Sequence, residues 1–147
     1  MVVFRDLKGI LKAAVQWENK LTDYYSAAED AVKDKECFCI VDILKRHHAN
    51  NLRIVRDIRV EDYGRDEWIQ STPDCNVNFL LPIEEINEES TFEEIMGHVL
   101  EFEKKMKGFY ASVSGKIITR EEKELFDSLV QFKEGQILEI KRFLEVS

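Results

Sequence analysis

The sequence predicts an all-α fold, a four-helix bundle in which two antiparallel helix pairs are joined by one long crossover. Three observations carry this. Four stretches place apolar residues at i, i+3, i+4 and i+7, the spacing that gathers them on one helix face. Both prolines of the chain, Pro73 and Pro82, fall between the second and third stretches and interrupt the pattern over residues 64–90. The second half also repeats the first: residues 15–25, Val-Gln-Trp-Glu-Asn-Lys-Leu-Thr-Asp-Tyr-Tyr, match residues 100–110, Leu-Glu-Phe-Glu-Lys-Lys-Met-Lys-Gly-Phe-Tyr. Trp17 corresponds to Phe102, Glu18 to Glu103, Lys20 to Lys105, Leu21 to Met106, and Tyr24 and Tyr25 to Phe109 and Tyr110.

Asp6 reads as the N-cap of the first helix. Its stripe is Leu7, Ile10, Leu11, Ala14, Val15, Glu18, Leu21, Tyr25 and Ala28, and it ends near Val32 or Lys33. The polar run over residues 33–36 is short enough to make the second helix an antiparallel neighbour. That helix starts near Cys37 or slightly before and carries Ile40, Val41, Leu44, His48, Asn51, Leu52, Val55 and Ile58 inward, with His47 to one side, before fading over residues 60–64.

Residues 64–90 hold the turn-forming Ser71, Thr72, Pro73 and Asp74 and an apolar cluster over residues 79–83. They read as a crossover lying along the bundle, with a helical turn near residues 65–70. Thr91 and Glu94 form a capping box for the third helix, whose stripe is Ile95, Val99, Leu100, Glu103, Met106 and Tyr110. Ser114 and Gly115 stop it. Thr119 and Glu122 form a second box. The fourth helix turns Leu125 or Phe126, Leu129, Val130, Lys133, Gln136, Ile137, Ile140 and Leu144 inward. Helices of roughly 22 to 27 residues are about 33 to 40 Å long.

At 147 residues the chain fits one domain, 1–147, able to bury a sizeable core. A formal charge of -8 argues against nucleic acid or an anionic membrane as partner. No apolar run is long enough to span a bilayer, and the N-terminal residues lack a signal-peptide layout, so the expected location is cytoplasmic. Cys37, Cys39 and Cys75 do not form the Cys-x-x-Cys pairs of structural zinc sites, and Cys37 and Cys39 read as buried or half-buried thiols near a helix start.

The anomaly is a polar break in the middle of every stripe. Glu18 and Glu103 stand among apolar neighbours on the first and third helices, His48 and Asn51 on the second, Lys133 and Gln136 on the fourth. Burying a carboxylate costs several kcal/mol unless a cation, a metal or a proton meets it. Four such breaks at similar depth imply a shared polar centre.

In this pattern the whole chain resembles the ferritin-like superfamily, and within it the rubrerythrin-like proteins. The family carries a Glu seven residues before a Tyr on helices one and three, and Glu-x-x-His on helices two and four; together these hold two irons. The first element is present twice, as Glu18 with Tyr25 and Glu103 with Tyr110. The second is replaced twice, by His48-Ala-Asn-Asn51 and by Lys133-Glu-Gly-Gln136. The resemblance therefore implies a degenerate di-iron site. The absence of any cysteine after Cys75 also removes the rubredoxin-like iron site of rubrerythrins.

Three functional readings follow. In the first, a protonated Lys133 stands in for a metal between Glu18 and Glu103, Asn51, Gln136, Tyr25 and Tyr110 complete a polar network with satisfied hydroxyls, and the protein is structural or binding rather than catalytic. At an effective dielectric near 20, unit charges about 4 Å apart attract by roughly 4 kcal/mol before desolvation. In the second, Glu18, His48 and Glu103 hold one iron, zinc or manganese ion, and the resemblance suggests oxidoreductase or peroxide-related activity. The third makes Lys133 a catalytic amine; it is weakest, because two flanking carboxylates raise a lysine pKa. The resemblance also suggests a homodimer.

Overall fold

The computed structural model describes residues 7–57, 86–87, 89–116 and 120–146. Within them the fold is all-helical: α1 Leu7–Ala31, α2 Lys35–Arg56, α3 Phe92–Ser114 and α4 Arg120–Val146, with no strand among the described residues. Their lengths of 25, 22, 23 and 27 residues match the periodicity. Asp6, Ile58, the turn near residues 65–70, both prolines, Cys75, the cluster over residues 79–83 and Thr119 lie outside the described residues.

The helix ends follow local chemistry. The second helix begins at Lys35, slightly before Cys37, because Asp34 caps it: the Asp34 carboxylate accepts from the Glu36 N–H at 2.8 Å. It closes on Asp57, with Arg53 and Arg56 in the last turn, where cations suit the helix dipole. Thr91 caps α3, its hydroxyl accepting from the Glu94 N–H at 3.1 Å, while Glu93 and Glu94 place negative charge in the first turn. Gly115 follows α3 in right-handed geometry, φ -67°, so the helix stops there without a left-handed glycine.

All four helices contribute to one apolar core, which includes Leu21 and Tyr25 from α1, Val41 and Leu44 from α2, Val99 and Met106 from α3, and Phe126 and Ile140 from α4. The helix α1 lies mainly against α2, and α3 against α4, with α2 also meeting α4 and α1 meeting α3. Trp17 packs edge-on to Phe109 with ring centroids 4.8 Å apart, tying α1 to α3. Across α1 and α2, Lys45 pairs with Glu29 at 2.6 Å and Arg56 donates to Asn19 at 2.5 Å. Across α3 and α4, Lys107 lies 3.4 Å from Glu134, and the Ser114 hydroxyl bonds to Asp127. No described helix is long and apolar enough to cross a membrane.

Candidate functional site: a buried Lys133–Glu18–Glu103 centre

Each helix delivers two polar side chains to the middle of the core. The residues are Glu18 and Tyr25 from α1, His48 and Asn51 from α2, Glu103 and Tyr110 from α3, and Lys133 and Gln136 from α4. Glu18, Tyr25, His48, Glu103, Tyr110 and Lys133 are 0% exposed. Asn51 and Gln136 are nearly so. Because every one sits on a helix, rigid elements fix the arrangement.

Lys133 is its hub. Its Nζ donates to Glu18 Oε1 at 2.7 Å and to Glu103 Oε1 at 3.2 Å. Burial alone works against the ammonium, but Glu103 and Glu18 together outweigh it and hold Lys133 above the usual lysine range. Burial pushes the Glu103 carboxyl up to about 7, with Lys133 opposing and Glu18 assisting. Glu103 Oε2 has no hydrogen-bond partner and is the oxygen free to carry that proton. On the other side of Glu18, Tyr110 donates its hydroxyl to Oε2 at 3.0 Å and Asn51 Nδ2 lies at a long 3.5 Å.

His48 is anchored differently. Its Nε2 lies 2.8 Å from the Glu18 backbone carbonyl, which can only accept, so Nε2 carries the hydrogen and Nδ1 the lone pair. Burial and the Lys133 charge push the imidazole down to about 4 against the pull of Glu18, so it is neutral at pH 7. Nδ1 has no hydrogen-bond partner and stands 3.9 Å from Glu18 Oε1.

The two tyrosines, equivalent in sequence, are not equivalent here. Tyr110 is satisfied by Glu18, but the Tyr25 hydroxyl has no hydrogen-bond partner, contrary to the expectation that both are satisfied. Burial, then Glu103 and Glu18, raise Tyr25 well above an ordinary phenol. The Gln136 side chain nearby offsets this only in part, and Gln136 Nε2 donates to the Leu44 carbonyl at 3.3 Å. Burial and Glu18 likewise hold Tyr110 high.

Two contributors have no place in the apolar stripe. Thr22 donates to the Glu18 carbonyl at 3.1 Å and meets His48 Nε2 at 3.0 Å. Its spacing of four from Glu18 is the only sequence signal of that role. Tyr24, fully buried, lies 3.0 Å from His98 Nδ1 at the edge of the core. His47 is half-exposed and 3.8 Å from Glu139, away from the centre. Cys37 is half-buried, and burial and Asp34 push its thiol up; Cys39 is exposed rather than half-buried.

Glu18, His48 and Glu103 offer three ligand atoms within 4.8 Å of one another. The free Nδ1 lone pair and Glu103 Oε2 are donors of the right chemistry, and a ligating histidine is commonly held through its other nitrogen as His48 is. Metal–ligand bonds of about 2.0–2.2 Å would need closer ligands than that and a site clear of cations. The hydrogen-bond distances around Lys133 Nζ instead fit an ammonium. A di-metal centre does not fit, since one imidazole and two carboxyls are too few and the ammonium stands among them. No protein-family model matches the chain, and no curated protein or solved structure matches it.

Proposed function

We propose that the chain is a ferritin-like, rubrerythrin-like bundle whose di-iron site has been replaced by an internal ion pair, and that it serves as a structural or binding protein rather than a di-iron oxidase. The observation that carries this is Lys133 Nζ bonded to both Glu18 and Glu103 in a centre closed to solvent. A lysine ammonium supplies there the positive charge that two buried carboxyls require. The helix pairing supports the architecture. Glu29 meets Lys45 while Asn19 meets Arg56, and Ser114 meets Asp127 while Lys107 meets Glu134, so numbers fall along one helix as they rise along its neighbour. Two antiparallel pairs with a crossover between α2 and α3 satisfy this. A homodimer belongs to the same reading by family resemblance, and a cytoplasmic location by the sequence expectation above.

The unpartnered His48 Nδ1 and Glu103 Oε2 favour a second reading, one iron, zinc or manganese ion held by Glu18, His48 and Glu103 once Lys133 gives way. Such an ion would supply Lewis-acid or redox chemistry. Counting iron, zinc and manganese per chain in purified protein, before and after incubation with ferrous iron, separates the two. No metal in either state is the expected result. About one metal per chain, lost in His48→Ala, would establish the second reading, and two per chain would defeat both.

A further inference from the structure

We propose that Lys133 and Glu18 condense into an intramolecular amide, Nζ to Cδ, with Glu103 carrying the protons and Tyr110 holding the carbonyl oxygen. The inference rests on reading Lys133 as the cation of the centre.

The groups that such a condensation needs are all in place. Nζ lies 2.7 Å from Glu18 Oε1, which puts it within van der Waals reach of the carboxyl carbon. A second carboxyl, Glu103, already accepts from the same nitrogen at 3.2 Å. The other Glu18 oxygen, Oε2, accepts from the Tyr110 hydroxyl at 3.0 Å, a donor aimed where negative charge develops as the carbon becomes tetrahedral. Glu18, Glu103, Tyr110 and Lys133 are all fully buried.

The proton inventory closes without any other reactant. Glu103 takes one proton from the Lys133 ammonium and passes it to Glu18 Oε1. The freed amine attacks Cδ through its lone pair, and the Nζ–Cδ bond forms. Glu103 then takes the second proton from nitrogen and delivers it to the departing oxygen, so the Cδ–Oε1 bond breaks and water leaves. One ammonium and one carboxylate become one amide and one water, and Glu103 returns to its starting state.

In open water an amine and a carboxylic acid stay apart as ions. Two features weigh against that preference here. Burial penalises both charges, and the amide carries neither. The helices also hold the partners together, and fixed intramolecular pairs reach effective concentrations of about 10⁵–10⁸ M. The two carboxyls that keep Lys133 protonated exclude a fast, recycling amine nucleophile. They do not exclude a bond made once in the lifetime of a chain, by a slow step from a minor neutral state. The product would staple α1 to α4 across 115 residues of sequence.

The test is the intact mass of the denatured full chain, purified folded and then held at neutral pH. The expected mass is lighter than the sequence by one water. Trypsin should then release a branched peptide joining residues 13–20 to residues 124–141, with Lys133 uncut. Glu103→Gln should fold, by its helical circular dichroism, and show the full mass, as should Lys133→Arg. A wild-type mass equal to the sequence, a bond elsewhere, or condensation persisting in Glu103→Gln overturns the proposal. Acylation of the native protein by an amine-reactive ester identifies which reading fails. If Lys133 is protected and the mass is unchanged, the ion pair stands without the amide. If Lys133 reacts as readily as exposed lysines, the buried centre fails too.

Discussion

Lys133 on α4 holds Glu18 on α1 at 2.7 Å, with both side chains completely withdrawn from solvent. The same ammonium serves Glu103 at 3.2 Å, so its removal strands two carboxyls in one dry centre. Removing one partner of a buried ion pair costs about 3–5 kcal/mol, whereas replacing the whole group with apolar side chains is often neutral. Lys133→Met should therefore lose roughly 3–5 kcal/mol at pH 8. It should recover part of this at pH 5.5, where Glu103 takes up a proton. The triple variant Lys133→Met, Glu18→Leu, Glu103→Leu should recover most of it at both values. Urea denaturation at the two pH values checks this, and a Lys133→Met protein as stable as wild type at pH 8 would show that the ammonium supports nothing.

Glu103 and His48 should pull stability in opposite directions as pH changes. Glu103 moves from an ordinary 4.5 to about 7 on folding. Between those values the folded chain keeps a proton that the unfolded chain releases, so stability falls as pH rises. His48 moves from 6.5 to about 4. Between those values the unfolded chain takes a proton that the folded chain refuses, so stability is lost as pH falls. Each pKa unit corresponds to about 1.4 kcal/mol, and from pH 4.5 to 6.5 the two slopes nearly cancel. Relative to wild type, His48→Gln should show stability declining with pH across this window, and Glu103→Gln should show it increasing. Urea midpoints at pH 4.5, 5.5 and 6.5 measure both; parallel curves for all three proteins would contradict the assignment.

Tyr25 and Tyr110 occupy matching positions of the internal repeat, but only Tyr110 makes a hydrogen bond to a carboxylate; Tyr25 has at most the weaker, poorly aligned contact with the Gln136 amide. The Tyr110 hydroxyl donates to Glu18 at 3.0 Å. A hydrogen bond to a charged group is worth about 1.5–3 kcal/mol, and Tyr110→Phe should lose that much. Tyr25→Phe removes a hydroxyl that has no hydrogen-bond partner and should leave stability unchanged within about 0.5 kcal/mol or raise it. Thermal unfolding of the pair decides it, and a larger loss in Tyr25→Phe would place a strong bond on the wrong tyrosine.

The helical periodicity made the elements and the inward positions of Glu18, His48, Asn51, Glu103, Lys133 and Gln136 readable, because a residue three, four or seven places from Leu21, Leu44, Met106 or Leu129 shares its face. The capping chemistry of Thr91 was readable for the same local reason. The pairing of Lys133 with Glu18 and Glu103 was expected from their charges; the partners of the two tyrosines were not readable. Tyr25 and Tyr110 have the same spacing from a glutamate, and only the tertiary packing directs one hydroxyl to Glu18 and leaves the other without a partner. Thr22 escaped notice because its hydroxyl acts through the backbone of its own helix. The start of α2 was readable only to within a turn, because Asp34, an exposed polar cap, counts for nothing in an apolar stripe but fixes the first turn.

Restoring the motif pair is the most demanding check of the register. On the proposed family reading, the four substitutions His48→Glu, Asn51→His, Lys133→Glu and Gln136→His place Glu-x-x-His on α2 and α4 around Glu18 and Glu103. Without metal the variant gathers four carboxyls in a buried site and should be less stable than wild type. Binding then offsets that repulsion, so Co²⁺ or ferrous iron should raise its unfolding temperature, in proportion to ligand excess over the dissociation constant, and bind at two per chain. A version that keeps Lys133 should take up neither pair, since the ammonium stands where a dication would sit. Metal uptake by titration with an absorption or thermal-shift readout is the measurement. A four-substituted chain that remains helical and binds nothing would show that His48 and Lys133 do not occupy the bridging positions.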